Sequence, residues 1–172
     1  MGPAGAFFTN HLLNTSMYPG THSMPQPKLT LLALLMSSTL MAAEYQVPGD
    51  FSSIQGAVNA SVDGDLIRVG PGSWPGRLDF RGKQITIEST DGPQTTTLDA
   101  NGVGSVVIFK ASETSNSVLD GFTITGGTGS SLNGEITGGG IYVFEASPTI
   151  RNCIITDNSA YFGGGVGIWQ GS

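Results

Sequence analysis

The chain carries one cysteine, Cys153, and two histidines, His11 and His22, among 172 residues. A single thiol closes no intrachain disulfide and is a poor basis for a zinc site. No histidine follows His22, so residues beyond it cannot assemble a Ser-His-Asp or Cys-His nucleophile or a histidine-ligated metal. Charged residues are only 12 % of the chain, Lys and Arg number seven, and the net charge is −6. No basic patch stands out, which argues against a nucleic-acid partner or an anionic membrane surface. No apolar run is long enough to span a bilayer as a helix.

What is present is glycine, at 26 residues without a period of three, together with much Ser, Thr, Asn and Ile. A hydrophobic fraction of 38 % argues against disorder. Such a composition favours short strands and turns over helices.

Residues 1–23 show no period and are expected to be an upstream or disordered segment, with translation starting at Met24. Residues 24–43 have the layout of a secretory signal peptide: Lys28, the apolar run Leu29 to Met36, then small and polar residues ending Met41-Ala42-Ala43 before Glu44. Glu44, and not a cysteine that could carry a lipid, follows that point. Removal of Lys28 with this segment would leave the rest one charge more negative.

Residues 44–172 form the expected folded part. Phe51 to Ala60 predicts the only helix, with Ser52 as N-cap, Gln55 completing a capping box, and Ile54, Ala57 and Val58 on one apolar stripe. Strands are expected at Leu66 to Val69, Leu78 to Phe80, Gln84 to Glu88, Thr97-Leu98, Val106 to Phe109, Val118-Leu119, Phe122 to Ile124 and Ile141 to Phe144. Cys153 falls at an apolar strand position and is expected to be buried.

Two repeats organise the chain. Gly138-Gly139-Gly140-Ile141-Tyr142-Val143-Phe144 returns 25 residues on as Gly163-Gly164-Gly165-Val166-Gly167-Ile168-Trp169. Val118 to Thr125 returns as Thr149 to Thr156 at an offset of 31. The difference places an insertion between Gly126 and Thr137, expected to protrude. A weaker echo joins Leu78-Asp79, Leu98-Asp99 and Leu119-Asp120 at spacings of 20 and 21. Units of this length cannot bury their own apolar faces and must stack, which predicts a parallel β-helix. Ile141 should then lie on Val166 and Val143 on Ile168, inside the stack, with the helix capping its open end. The chain stops after a strand without capping signals, so a truncated N-terminal piece of a longer β-helix is expected.

Asp63-Gly64-Asp65-Leu66-Ile67-Arg68-Val69, Gly70-Pro71-Gly72-Ser73-Trp74 and Gly82-Lys83-Gln84-Ile85-Thr86-Ile87 resemble the opening coils of bacterial secreted proteins of the pectin-lyase-like superfamily. Leu119-Asp120-Gly121-Phe122-Thr123-Ile124 and Ser147-Pro148-Thr149-Ile150-Arg151-Asn152-Cys153 are similar to its repeat phrases. Ile155-Thr156-Asp157-Asn158-Ser159-Ala160, leading to Gly163-Gly164-Gly165-Val166, resembles polymorphic outer-membrane-protein repeats. The resemblance spans Tyr45 to Trp169. It implies an all-β fold, a right-handed parallel β-helix (solenoid) with a short N-terminal capping α-helix, at a secreted or cell-surface location. That fold hosts lyases, hydrolases and inert adhesins alike. The Gly-His-Gly motif of polygalacturonase-like enzymes and the Arg-Pro-Trp stretch of pectin methylesterases are missing.

Candidate residues divide into three groups. Asp79, Asp99 and Asp120 suggest a stacked carboxylate site for calcium, against the reading that each caps a turn; calcium needs six or more oxygens, and capping is favoured. Arg151, Asn152 and Asn158 read as a solvent-facing cation and two turn residues. Tyr142, Phe144 and Trp169 should point outward opposite Ile141, Val143 and Ile168, with Trp169 over Phe144, either contacting a sugar ring or packing under the 126–137 loop. No catalytic residue, metal or cofactor is expected. The expected function is a non-catalytic, adhesive or carbohydrate-contacting scaffold whose partner is an extracellular polysaccharide or another cell-surface component. The alternative is the N-terminal part of a polysaccharide lyase or glycoside hydrolase.

Overall fold

A computed structural model describes residues 41–132 and 134–170, all within the second of two units of the chain, Thr39–Ser172. The expected segments 1–23 and 24–40 lie outside the described residues. Among the described residues there are 15 strands and one short helix, so the fold is all-β.

Most strands are parallel and fall into three sheets that face one core. The first holds β1 (Glu44–Val47), β2 (Leu66–Val69), β5 (Thr86–Ser89), β8 (Val118–Asp120) and β13 (Thr149–Arg151). The second holds β3 (Gly72–Pro75), β6 (Thr96–Asp99), β9 (Thr123–Thr125) and β14 (Ile154–Ile155). The third holds β4 (Leu78–Asp79), β7 (Val107–Phe109), β12 (Ile141–Phe144) and β15 (Val166–Trp169). From β2 onward the chain visits first, second and third sheet in that order, four times over. This arrangement is compatible with a parallel β-helix.

Register follows the apolar positions, because a slip of one residue would turn every inward side chain outward. Ile67, Ile87, Leu119 and Ile150 align across the first sheet. Trp74, Leu98, Ile124 and Ile155 align across the second. In the third, Leu78, Val107, Ile141 and Val166 form one row, and Phe109, Val143 and Ile168 the next. The expected partners are in register, but Val166 and Ile168 are exposed and not inside the stack, because β15 is the edge strand of its sheet among the described residues. Ile67, Ile85, Ile87, Leu119, Ile124 and Ile141 are fully buried. Full burial of one such side chain contributes about 1.5–3 kcal/mol, so these aligned rows supply much of the driving force for stacking.

The single helix is α1, Ile54–Ala60, shorter than the pattern predicts. Its N-cap is Ser53, whose hydroxyl accepts from Gly56 N, and not Ser52. Gln55 is not part of a capping box: its amide exchanges two hydrogen bonds with the backbone of Asp79. Ile54, Ala57 and Val58 are buried as predicted, and the helix packs on β1, β2 and β4. Lys83 donates to the carbonyls of Val58, Asn59 and Ser61, and so satisfies orphan acceptors at the helix C-terminus. Strand β1 was not foreseen. Only Val47 of its four residues is buried, so its apolar signal is faint. Ala43, the expected last residue of the signal peptide, is tied in beside it: its N–H donates to Asp65 Oδ1 and its carbonyl accepts from Leu66 N.

The insertion is a hairpin. β10 (Ser130–Leu132) pairs antiparallel with β11 (Glu135–Thr137), the one antiparallel pair among the described residues. It leaves from the end of β9 and returns at β12, so it hangs from one corner while the strands on either side keep their register.

Candidate functional site

The three Leu-Asp phrases land on three different sheets. Asp79 ends β4, Asp99 ends β6 and Asp120 ends β8. The spacing that suggested a carboxylate stack is therefore a repeated corner device, not a repeated position. Asp79 Oδ1 accepts from Arg81 N at 2.9 Å and Asp99 Oδ1 from Asn101 N at 2.8 Å, and both acceptor turns place the donor residue at positive φ. Asp120 instead takes Arg151 Nε at 2.8 Å and Asn152 Nδ2 at 2.8 Å. Arg151 is thus paired, and Asn152 bonds this carboxylate and not the local backbone. Asn158 does bond the backbone: locally at Thr156 O, and across to the preceding pass at Ile124 O and Gly127 N.

The outer face of the first sheet is a charge ladder. Arg68, Glu88, Asp120 and Arg151 stand in one register row. Glu88 and Asp120 would repel across the strands, but each has an arginine on its far side. Arg68 reaches Glu44 at 2.8 Å and Glu88 at 2.7 Å.

The third sheet is different. Its inward rows alternate with an outward row of Asp79, Ile108, Tyr142 and Gly167. Tyr142 lies outside the core cluster that holds Ile141 and Val143, yet it is only 6 % exposed. At Gly138 the chain returning from the hairpin packs against its backbone. A Cβ on Gly138, at φ +61, would sit 2.8 Å from Tyr142 Cα. One pass on, Gly167 takes the same position, and a Cβ there would lie 2.4 Å from Thr137 Oγ1. That crowding explains why the second copy of the repeat reads Val-Gly-Ile-Trp where the first reads Ile-Tyr-Val-Phe.

The three aromatic candidates are therefore not equivalent. Tyr142 and Phe144 lie parallel, with centroids 6.5 Å apart and planes 2° from each other. Phe144 is partly exposed and Trp169 is 43 % exposed. Trp169 stands beside Phe144 in register, but its indole N–H donates to Thr137 Oγ1 at 3.4 Å. Tyr161 and Phe162, which the sequence reading passed over, form a second exposed pair in edge-to-face contact at 4.7 Å.

Between the hairpin and this outer face lies a groove of about 380 Å³. Ile108 and Tyr142 line it, with Arg77 and Lys110, Gly104, and Gly129, Ser130 and Ser131 of the hairpin segment. Lys110 Nζ contacts Asp79 Oδ2 at 3.1 Å. Burial pushes the Tyr142 phenol above its ordinary pKa, so it is a neutral hydroxyl at physiological pH. Cys153 is partly buried beside the core and its thiol is likewise pushed up, chiefly by burial. No helix among the described residues is long and apolar enough to cross a membrane.

Searches of protein-family models, of curated proteins and of solved structures returned no match to the chain.

Proposed function

We propose that this chain is a non-catalytic scaffold of the right-handed parallel β-helix type, exported by the signal peptide at 24–43. In this reading it works outside the cell or on its surface and contacts a polysaccharide through the outer face of the third sheet. The pectin-lyase-like resemblance supports the handedness, and the order in which strands enter the three parallel sheets supports the helix.

One observation carries the contact surface. Tyr142, Phe144 and Trp169 lie on adjacent parallel strands, on the side opposite the core, and Tyr142 also lines the groove walled by the inserted hairpin. Parallel strands lie about 4.8 Å apart, so a flat ligand spanning two strands meets aromatic faces held rigidly by the backbone ladder. Aromatic rings suit sugars because the apolar face of a pyranose covers them while its hydroxyls stay wet. Hairpins inserted at one corner of a regular stack commonly carry binding walls.

The test is retention on insoluble polysaccharides, with Phe144→Ala and Trp169→Ala compared against the parent chain. Each substitution is expected to reduce retention about three- to tenfold, the effect of losing one ring contact. Unchanged retention in both variants, with the fold intact by circular dichroism, would end the proposal for this face. Export is checked separately, by following the chain to the medium or surface with and without residues 24–43.

A further inference from the structure

The chain has seven basic residues, and six lie among the described ones. Arg68 and Arg151 are bound to carboxylates, Lys110 to Asp79, and Lys83 to three helix carbonyls. Arg77 and Arg81 have no carboxylate within ion-pair distance among the described residues. Arg81 is exposed at a turn. Arg77 is exposed as well, but it lines the groove.

We propose that this groove binds a sulfate-type oxyanion borne on a polysaccharide, held by Arg77 with Lys110, the Tyr142 hydroxyl and the hairpin serines. The inference rests on the third sheet's outer face being the ligand surface.

Arg77 is pinned. Nε donates to Ser105 O at 3.1 Å and Nη2 to Ser130 Oγ at 3.0 Å. Gly104 lies against the guanidinium, where a Cβ would come within 2.9 Å of Cζ. Of the five N–H groups on a guanidinium these bonds use two, and the rest remain for a ligand. A cation fixed before binding loses little side-chain entropy when it binds.

Tyr142 is the second observation. It is 94 % buried by its 6 % exposure, and its hydroxyl has no hydrogen-bond partner among the described residues. No fully enclosed side-chain polar atom lacks a partner, so that hydroxyl keeps its access through the groove. The Tyr142 ring is buried while its hydroxyl stays open to the groove, where it can bond a ligand in place of water.

The geometry favours a tetrahedral group over a planar one. A carboxylate is best served by one coplanar guanidinium fork. The Nε–Nη2 edge of Arg77 is taken by Ser105 and Ser130, and its end-on Nη1–Nη2 edge stays open, so the preference rests on where the other donors stand. The remaining donors come from separate walls: Arg77 from one, Lys110 and Tyr142 from the sheet, Ser131 from the hairpin. A sulfate ester offers three terminal oxygens in three directions.

The experiment compares dextran, dextran sulfate and carboxymethyl-dextran of equal length by affinity electrophoresis and calorimetry, on the full chain. Dextran sulfate should bind, dextran should bind at least tenfold more weakly, and carboxymethyl-dextran should lie nearer to dextran. Inorganic sulfate at millimolar concentration should compete. Arg77→Gln should weaken dextran sulfate binding about tenfold, the loss of one charge-assisted contact, and Tyr142→Phe about threefold. Arg81→Gln, the surface control, should change little. Equal losses in R77Q and R81Q, equal binding of the sulfated and carboxylated chains, or no competition by sulfate would each overturn the proposal. Thermal melting of each variant separates a lost contact from a lost fold. Should F144A and W169A lose retention while R77Q keeps it, the sheet face stands and the oxyanion site falls.

Discussion

Phe144 and Trp169 are register partners on β12 and β15, but their rings are committed to different neighbours. Phe144 lies parallel to Tyr142, whereas the indole of Trp169 turns its N–H to Thr137 at the root of the hairpin. The repeat thus sets where the aromatic residues stand, and the insertion sets what they do.

The paired glycine runs should respond unequally to one methyl group. A Cβ on Gly139 would lie 2.2 Å from Gly164 O and 2.5 Å from Ser159 O, both backbone atoms that cannot rotate away. On Gly164 the nearest atom would be Asn158 O at 3.3 Å. Gly139→Ala is expected to cost about 3 kcal/mol or to prevent folding, and Gly164→Ala under about 1 kcal/mol. Urea denaturation midpoints of the two variants check this.

Gly121 and Asn152 occupy equivalent corners of successive passes, at φ +83 and +53. A β-branched residue tolerates that region poorly. Asn152→Val should lose about 2 kcal/mol, from backbone strain together with the bond to Asp120. Asn152→Gly should lose less, because it keeps the conformation and forfeits only the side-chain bond. A glycine variant at least as destabilised as the valine one would show that the bond to Asp120, not the corner, governs.

Cys153 gives a pH prediction. Burial holds its thiol above the usual range, so the folded chain retains this proton to higher pH than the unfolded chain does. The stability from that difference is fully present below the unfolded thiol's pKa. It is lost as pH rises from there through the folded value. Thiol titration at mildly alkaline pH should accordingly be slower in the folded chain than in urea. The alkaline fall in stability should be shallower in Cys153→Ala. Equal reaction rates in the two states would contradict the burial.

The later passes were legible because their spacing is nearly constant: both offsets, 25 and 31, reappear as strand register. Earlier passes were not. In the first sheet the step is 20 residues from Leu66 to Thr86 and 32 from Thr86 to Val118, so no fixed period exists to detect. The Leu-Asp echo marked turns, as the favoured reading had it, at Asp79 and Asp99 but not at Asp120, which is held by Arg151 and Asn152. An aspartate that ends a strand and bonds the N–H two residues on serves any corner, so the phrase need not mark one place on the stack. The aromatic trio was found by alternation, which reports the side a residue faces but not what lies over it. Arg77 and Phe162 carried no signal at all, since one precedes a two-residue strand and the other makes a single isolated bridge to Thr137. The N-cap was misplaced by one residue because two serines adjoin, and only the tertiary bond from Gln55 to Asp79 decides between them.

The hairpin joins the stack at a single corner and meets the next pass only at its root, where Thr137 bridges Phe162. Its residues can be lengthened, recharged or exchanged by mutation while the apolar rows beneath stay as they are. A lineage built on this plan can change what it holds by rewriting a dozen or so positions, and its descendants would differ in ligand long before they differed in architecture.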